Sequence, residues 1–191
     1  MRRRLAAQLR RPSGLFGRVV AAMLNRGNRR TNERAVELLG VEPSHRVLDV
    51  GFGGGVGLEL LRSSTLAGVD HSPDAVRMAR KRFPSARIAQ ASVEALPFDD
   101  AAFDRVLSVH TIYFWPDAEA GARELFRVTA PGGRVVVAFM RGEEMRKQKI
   151  HEHGFAFFEA ADVAALLTGA GFAPVRVEGD RPLFAVGEKP G

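Results

Sequence analysis

The sequence contains no cysteine. Disulfides, thiolate-bound zinc, iron–sulfur clusters and cysteine nucleophiles are therefore excluded from its 191 residues. Apolar runs are short, and none approaches the roughly 18 residues that indicate a membrane-spanning helix. The basic N-terminus also lacks a continuous apolar region followed by a cleavage site, as a secretory leader would have. We therefore expect a soluble, cytoplasmic protein.

Lysine is also scarce, since 24 of the 28 basic side chains are arginine. Residues 1–34 hold ten arginines and one acid, Glu33, which gives this arm a charge of +9; the rest of the chain has 18 basic and 21 acidic side chains, for −3. The net charge of +6 thus comes from one arm. Such an arm could contact nucleic acid, an anionic membrane surface or an acidic substrate, or it could be a solvated helix face.

No Ser/Gly-rich linker and no internal repeat divides the chain, so we predict a single domain over 1–191, with a helical arm over 1–40 and a core over 45–188. Within the arm, Asn25, Asn28 and Asn32 recur at helical spacing. They would lie on one face of a helix, or they could be caps and turn residues.

The chain is organised around residues 46–58, which read RVLDVGFGGGVGL. A short apolar run, four glycines at every second position and a resumed helical spacing predict a strand, a turn and a helix. Open α/β sheets bind ligands at such a turn, beyond the carboxyl end of a strand. Glycines there can adopt positive φ and let a ligand approach the backbone. A nucleotide-like ligand is the leading inference, although a glycine-rich turn can also be a simple connection.

The spacing of these glycines distinguishes a dinucleotide from other nucleotide-like ligands. No frame supplies the Gly-x-Gly-x-x-Gly of dinucleotide-binding proteins, whereas Asp49 to Gly55 reads Asp-x-Gly-x-Gly-x-Gly. In this the chain resembles motif I of the class I S-adenosylmethionine (SAM)-dependent methyltransferases. A carboxylate at Asp49 suits a ligand with an ammonium and a sulfonium and would repel a diphosphate. The implied cofactor is SAM, with S-adenosylhomocysteine as product and no metal.

Further blocks of the sequence extend this resemblance. Asp70 ends a predicted second strand, where an acid accepts hydrogen bonds from both ribose hydroxyls in nucleotide-binding α/β folds. Residues 92–98, SVEALPF, resemble a family segment that contacts adenine, but Ser92 stands where the family has aspartate. The cofactor-binding residues implied by the resemblance are Asp49, Gly51, Phe52, Gly53, Gly55, Asp70, His71, Ser92, Val93, Glu94 and Ser108.

The segment FDRVLSV, residues 103–109, predicts a fourth strand that is followed by VHTIYFWPD, and both are close to the family pattern. These loop residues should face the transferred methyl group. The predicted acceptor-lining residues are Phe16, Asn28, His110, Tyr113 and Trp115. His110 is the titratable group of suitable pKa in this loop, and it is either a general base or a hydrogen-bonded structural side chain.

The resemblance covers about residues 35–188 and includes the quinone-biosynthesis C-methyltransferases of the small type 11 family. It implies a Rossmann-like, doubly wound, mostly parallel seven-stranded sheet in three α/β/α layers, closed by a C-terminal antiparallel hairpin. It also implies that the leading helices act as a lid, so we expect residues 1–30 to be mobile without ligand. The absence of cysteine excludes radical SAM enzymes and cysteine-dependent base C5 methyltransferases.

The expected activity is SAM-dependent methylation of a small-molecule acceptor at carbon, oxygen or nitrogen, driven mainly by alignment of the reactants. Two alternatives remain open. The basic arm could serve a nucleic acid methyltransferase, although the Pro-Pro block of exocyclic amino methyltransferases is missing. The chain could also be a SAM-binding module without catalysis. His151 and His153 have no nearby acids and make a poor metal site. The oligomeric state is not predicted.

Overall fold

A computed structural model describes residues 28–61, 65–147 and 156–191; for residues 146 and 147 it describes the backbone alone. Seven strands form one sheet: β1 (Arg46–Val50), β2 (Thr65–Asp70), β3 (Arg87–Gln90), β4 (Phe103–Val109), β5 (Thr129–Phe139), β6 (Val175–Gly179) and β7 (Leu183–Glu188). The described helices are α1 (28–39), α2 (Val56–Leu60), α3 (Pro73–Arg82), α4 (Ala118–Val128), α5 (Gly142–Lys147) and α6 (Ala160–Ala170), with a 3₁₀ turn at Ile112–Phe114.

The strand order is β3-β2-β1-β4-β5-β7-β6. The first five strands pair in parallel, and β7 runs antiparallel between β5 and β6. The predicted mixed sheet with an antiparallel closing pair is confirmed. The chain proceeds from β1 outward to β3 and then returns to β4 on the other side of β1, so the carboxyl ends of β1 and β4 form a topological switch point.

The helix boundaries follow from local capping. The Ser72 hydroxyl accepts from the Ala75 N–H at the start of α3, and Asp117 accepts from the Ala120 N–H at the start of α4. Glu159 and Asp162 form a reciprocal capping box at α6. Gly171 ends α6 with φ 112°, the left-handed backbone that the sequence predicts for glycine there.

The core lies on both faces of the sheet because inward side chains alternate along each strand. On β1, Val47 faces α1 while Leu48 faces the α4–α6 side, and on β4 Leu107 and Val106 divide in the same way. All four are fully buried. Helices cover both faces, which gives the predicted three layers.

Two local features are not evident from the sequence. Residues 130–133 lie within β5 although they include Pro131 and two glycines; Gly132 adopts φ 73° there, and the pairing with β4 shifts register between Phe103 and Arg105. The stretch is an irregular strand because Gly132 and Gly133 also bond to Lys189. In addition, α1 already includes residue 28.

Within the described ranges, no helix is both long and apolar enough to span a bilayer. The same ranges hold no group of three or more histidine, aspartate or glutamate side chains arranged to bind a metal ion.

Candidate functional site

The glycine turn after β1 has the conformation that its residue types predict. Gly51, Gly53 and Gly55 have φ values of 75°, 50° and 77°, and the Gly55 N–H donates to the Phe52 carbonyl to close the turn. L-residues with a side chain rarely adopt such φ values. A Cβ built on Gly53 would meet no atom within 4 Å, so the backbone at Gly53 borders open space in which a ligand can approach closely.

Gly51 serves a different purpose from Gly53. A Cβ at Gly51 would lie 2.3 Å from Cγ2 of Thr111, so the missing side chain lets the loop after β4 pack directly against the glycine turn. The two strand ends at the switch point are thereby held together. The loop after β4 therefore adjoins the glycine turn.

Asp49, the last acid before the turn, is buried at 2% exposure. Its carboxylate accepts a hydrogen bond from the Leu58 backbone N–H, but Oδ2 has no hydrogen-bond partner among the described residues. Burial, with the nearby Asp70 charge as a smaller contribution, raises the pKa of Asp49 to about 7. A buried carboxylate oxygen without a donor is costly, and a cationic ligand group would supply that donor.

Asn32 adds a second acceptor beside Asp49. A Cβ built on Gly57 would lie 2.3 Å from Asp49 Oδ2 and 3.3 Å from Asn32 Oδ1, so both oxygens face the same point. The Asn32 amide nitrogen donates to the Asn28 carbonyl over 2.9 Å, which orients Oδ1 away from its own helix. Of the two interpretations of the asparagine spacing, a common helix is therefore correct for Asn28 and Asn32.

Asp70 lies at the carboxyl end of β2, next to the glycine turn. Its Oδ2 accepts from the Gly53 N–H over 2.7 Å and its Oδ1 accepts from the Ser72 N–H over 2.8 Å. Burial raises its pKa, and the two backbone donors oppose that rise. The carboxylate thus holds the turn in place. The adjacent His71 is exposed, and its carbonyl accepts from Gln90.

In the segment after β3, Ser92 and Glu94 form hydrogen bonds with each other and with the start of α4. The Ser92 hydroxyl donates to Glu94 Oε2 over 3.1 Å, and Glu94 Oε1 accepts from the Asp117 N–H over 2.6 Å. Val93 packs in the core. Glu94 therefore ties this segment to the start of α4, while the Ser92 oxygen keeps lone pairs that could accept from an amino group.

Phe52, by contrast, is a packing residue, since its ring is buried against Gly68 and Leu58. Ser108 and Trp115 lie further inside the protein than the sequence suggests. Ser108 is completely buried and shares a hydrogen bond with the Thr111 hydroxyl, which also accepts from Trp115 Nε1. The Trp115 ring packs over Gly121. The prediction that Ser108 contacts the cofactor and Trp115 lines the acceptor site is not supported by this placement, because Thr111 draws both side chains inward.

His110 and Tyr113 form a hydrogen-bonded pair at the end of β4. His110 has φ 57°, its Nδ1 lies 3.2 Å from the Tyr113 hydroxyl, and that hydroxyl also bonds to the Met140 N–H. Burial lowers the pKa of His110 to about 4 and raises that of Tyr113. Phe114, which follows, is one of the exposed large apolar residues in the described chain.

The sequence carries no signal for the contact that joins α1 to the glycine turn. Arg29 donates to Glu59 of α2 over 3.3 Å, and Arg82 of α3 bonds to the same carboxylate and to the Gly54 carbonyl. Ion pairs between residues so far apart in sequence follow no local periodicity. Phe16, Asn25 and residues 151–153 lie outside the described residues, as does most of the predicted lid.

Comparison with known proteins agrees with this geometry. The family model described as a methyltransferase domain, type 11, matches residues 48–137, from the end of β1 to β5. The chain is thus similar in sequence and fold to the class I SAM-dependent methyltransferases. A SAM-dependent methyltransferase structure from Thermotoga maritima superimposes with a TM-score of 0.74 at 25% identity, over 87% of this chain and 92% of that one.

Two curated proteins illustrate the range of sequences to which the chain is similar. The uncharacterized methyltransferase YdaC of Bacillus subtilis is 26% identical over 151 residues, which are 71% of this chain and 83% of YdaC. The demethylmenaquinone methyltransferase of Thermus thermophilus is 34% identical over 116 residues, 56% of this chain and 53% of that protein. The chain thus spans about half the length of the Thermus protein.

Proposed function

We propose that this protein catalyses the transfer of a methyl group from SAM to a small-molecule acceptor. The observation that carries the proposal is the orphaned Oδ2 of Asp49, buried beside Gly57 at the glycine turn. A buried acceptor of this kind fits the ammonium of an amino acid and repels the diphosphate of a dinucleotide.

The residues present fit SAM in three places. Asp49 Oδ2 and Asn32 Oδ1 offer two acceptors to the ammonium. The open space at Gly53 admits the ligand close to the backbone. Asp70 has carboxylate lone pairs beyond those used by Gly53 and Ser72, and these would accept from the ribose hydroxyls.

The chain's own contribution to the reaction is mainly alignment. When bound, SAM supplies a methyl group whose bond to sulfur breaks with its electron pair going to sulfur, while an electron pair of the acceptor forms the new bond to carbon. Rigid placement of the two reactants can supply roughly 7–11 kcal/mol of the barrier reduction. The loop after β4 places His110 and Tyr113 beside the glycine turn through the contact of Thr111 with Gly51.

The acceptor site would lie along this loop. Phe114 exposes 37% of its surface next to the Tyr113 ring, 6.1 Å between centroids, and offers an apolar aromatic surface. Aromatic faces suit both planar organic acceptors and the approach of a sulfonium. The Thermus relative, a demethylmenaquinone methyltransferase, supports a planar quinone-like acceptor as the first class to test.

Calorimetry with S-adenosylhomocysteine, NADH and FAD tests the cofactor. We expect wild-type protein to bind S-adenosylhomocysteine, and Gly53→Val, which fills the open space and strains the left-handed turn, to lose most of that affinity while keeping its secondary structure by circular dichroism. Tight binding of a dinucleotide without S-adenosylhomocysteine would overturn the proposal. Transfer of labelled methyl from SAM is then measured with reduced naphthoquinols and, as the alternative substrate, with total RNA. Labelled RNA would replace the small-molecule acceptor by a nucleic acid, and binding without any transfer would indicate a non-catalytic module.

A further inference from the structure

The three groups Met140 N–H, Tyr113 hydroxyl and His110 Nδ1 form a continuous hydrogen-bond chain at the switch point. The Met140 backbone N–H can only donate, so the Tyr113 oxygen accepts from it. The phenol has one proton to give, and Nδ1 of His110 is its acceptor in the described part of the chain, at 3.2 Å. When the phenol donates that proton to Nδ1, Nδ1 carries a lone pair and the imidazole proton lies on Nε2.

The pKa shifts of Tyr113 and His110 agree with a hydrogen bond donated from the phenol to the imidazole. Burial raises the pKa of Tyr113, so the phenol keeps its proton at neutral pH. Burial also lowers the pKa of His110 to about 4, so the imidazole is neutral. A neutral imidazole whose lone pair is already bonded to Tyr113 has no free basic nitrogen. It offers one N–H group instead.

The Nε2 atom of His110 is the last donor of this series of hydrogen bonds. Among the described residues it has no hydrogen-bond partner, and it does not belong to the buried polar atoms that lack one. The His110 backbone is fixed by its N–H bond to the Ala138 carbonyl and by the packing of Thr111 on Gly51. His110 thus stands at the carboxyl end of β4 beside the glycine turn.

We infer that His110 donates a hydrogen bond through Nε2 to an oxygen of the methyl acceptor, adjacent to the atom that is methylated, and that Tyr113 is the positioning residue that sets this tautomer. The inference rests on the proposed methyl transfer and narrows its acceptor class to phenols, hydroquinones and enols. Their hydroxyl proton leaves to water, and the N–H stabilises the oxyanion that results. The oxyanion's electron pair, delocalised to the ring carbon, forms the bond to the methyl group as the carbon–sulfur bond breaks towards sulfur. The proton on the ring carbon then leaves to solvent and the oxygen regains a proton from solvent, so that one net proton is released.

Nitrogen-15 NMR of histidine-labelled full-length protein tests the tautomer without any turnover. We expect His110 to show an unprotonated Nδ1 and a protonated Nε2 at pH 7, with and without S-adenosylhomocysteine. In Tyr113→Phe, which keeps the ring and removes the donor, the Nδ1-protonated form should appear. A protonated Nδ1 in the wild type would overturn the inference.

Two amide variants separate a donor from a base. In His110→Gln the amide nitrogen reaches the position of Nε2, whereas in His110→Asn it reaches only that of Nδ1. With 1,4-dihydroxynaphthalene kept reduced as acceptor, His110→Asn should lose roughly 10- to 100-fold in kcat, and His110→Gln should recover much of this loss. Equal losses in both variants would assign a base and overturn the donor role.

The acceptor class is tested with a matched amine, 1-naphthylmethylamine. We expect methylation of the dihydroxynaphthalene and none of the amine. Methylation of the amine alone, or of neither compound, would overturn the assignment of an oxygen-bearing acceptor. Calorimetry with S-adenosylhomocysteine is run on the wild type and on each variant. If the proteins bind it but the results above are not obtained, only the role of His110 is wrong. If the wild type does not bind it, the proposed function itself is wrong.

Discussion

The Asp49 carboxylate lies directly against the Cα of Gly57, so closely that a Cβ on Gly57 would stand 2.3 Å from Oδ2. The glycine is therefore required even though its own backbone is not left-handed. Its missing side chain leaves the room that the buried Asp49 carboxylate occupies, with the Asn32 amide oxygen beside it.

Gly57→Ala should weaken S-adenosylhomocysteine binding by at least about tenfold, because the new methyl group displaces the Asp49 carboxylate or fills the place of the ligand ammonium. Calorimetry measures the affinity. The matched control is Gly169→Ala in α6, where a Cβ would meet nothing within 4 Å. That variant should keep its affinity and gain about 0.5–1 kcal/mol in unfolding free energy. Wild-type affinity in Gly57→Ala would contradict the proposed place of the ammonium.

The stability of the ligand-free protein should fall between about pH 4 and pH 7. The pKa of Asp49 is about 7 in the folded chain against an ordinary value of 3.8, so in this window the folded state binds more protons than the unfolded state. Stability then decreases as pH rises, by at most about 1.4 kcal/mol for each pH unit, and levels off above pH 7. Urea denaturation across pH measures it.

Asp49→Asn isolates this contribution, because Asp70, whose pKa is also raised, remains in place. The variant should show a flatter dependence of unfolding free energy on pH than the wild type. An identical slope in the two proteins would mean that Asp49 is already ionised at pH 5.

Binding of S-adenosylhomocysteine should release protons between pH 6 and pH 7. The ligand ammonium favours the ionised carboxylate and lowers the pKa of Asp49, so a proton is lost on binding. Affinity should accordingly rise with pH up to about 8. Calorimetry in two buffers of different ionisation enthalpy gives the number of protons released, and no difference between the buffers in the wild type would argue against ammonium binding at Asp49.

Asp70→Ala should weaken S-adenosylhomocysteine binding by roughly 100-fold, since a charge-assisted hydrogen bond contributes about 1.5–3 kcal/mol. The variant loses the ribose acceptor and also the acceptor for the Gly53 and Ser72 N–H groups. Asp99→Ala, at an exposed loop carboxylate, is the control and should bind like the wild type. Retained affinity in Asp70→Ala would remove Asp70 from the cofactor site.

Asp104→Ala should destabilise the fold and leave cofactor affinity intact. Asp104 accepts from the Arg46 backbone N–H over 2.8 Å and from the Arg46 guanidinium over 2.7 and 3.1 Å, which joins the starts of β1 and β4. Loss of these bonds should cost about 1–3 kcal/mol by urea denaturation. The pair lies at the opposite end of the strands from the glycine turn, so a parallel loss of S-adenosylhomocysteine affinity would be inconsistent with this geometry.

The sequence predicts best what depends on local chemistry. The bounds of β4 agree to the residue, because the alternation of a strand is read within a few positions, and Ser72, Asp117 and Gly171 cap helices as their residue types favour. The sequence does not predict contacts between segments that lie far apart in the chain. Asn32 reaches Gly57 only because α1 crosses that turn, and Tyr113 bonds to Met140 from 27 positions away.

Ser108 and Trp115 illustrate a second limit of the sequence. Ser108, near the end of β4, is predicted to contact the cofactor, and Trp115, in the loop that follows, to line the acceptor site, while one hydroxyl, that of Thr111, bonds to both side chains in the interior. Burial of a polar residue depends on whether a partner is present, and the sequence does not show which partner the fold will bring.

The placement of β7 between β5 and β6 affects the order of assembly during translation. β6 and β7 are separated by three residues, so they can form a hairpin locally, and β6 reaches the sheet only through β7. Until β7 inserts, β5 presents an open edge. Premature association of newly made copies would begin at that edge.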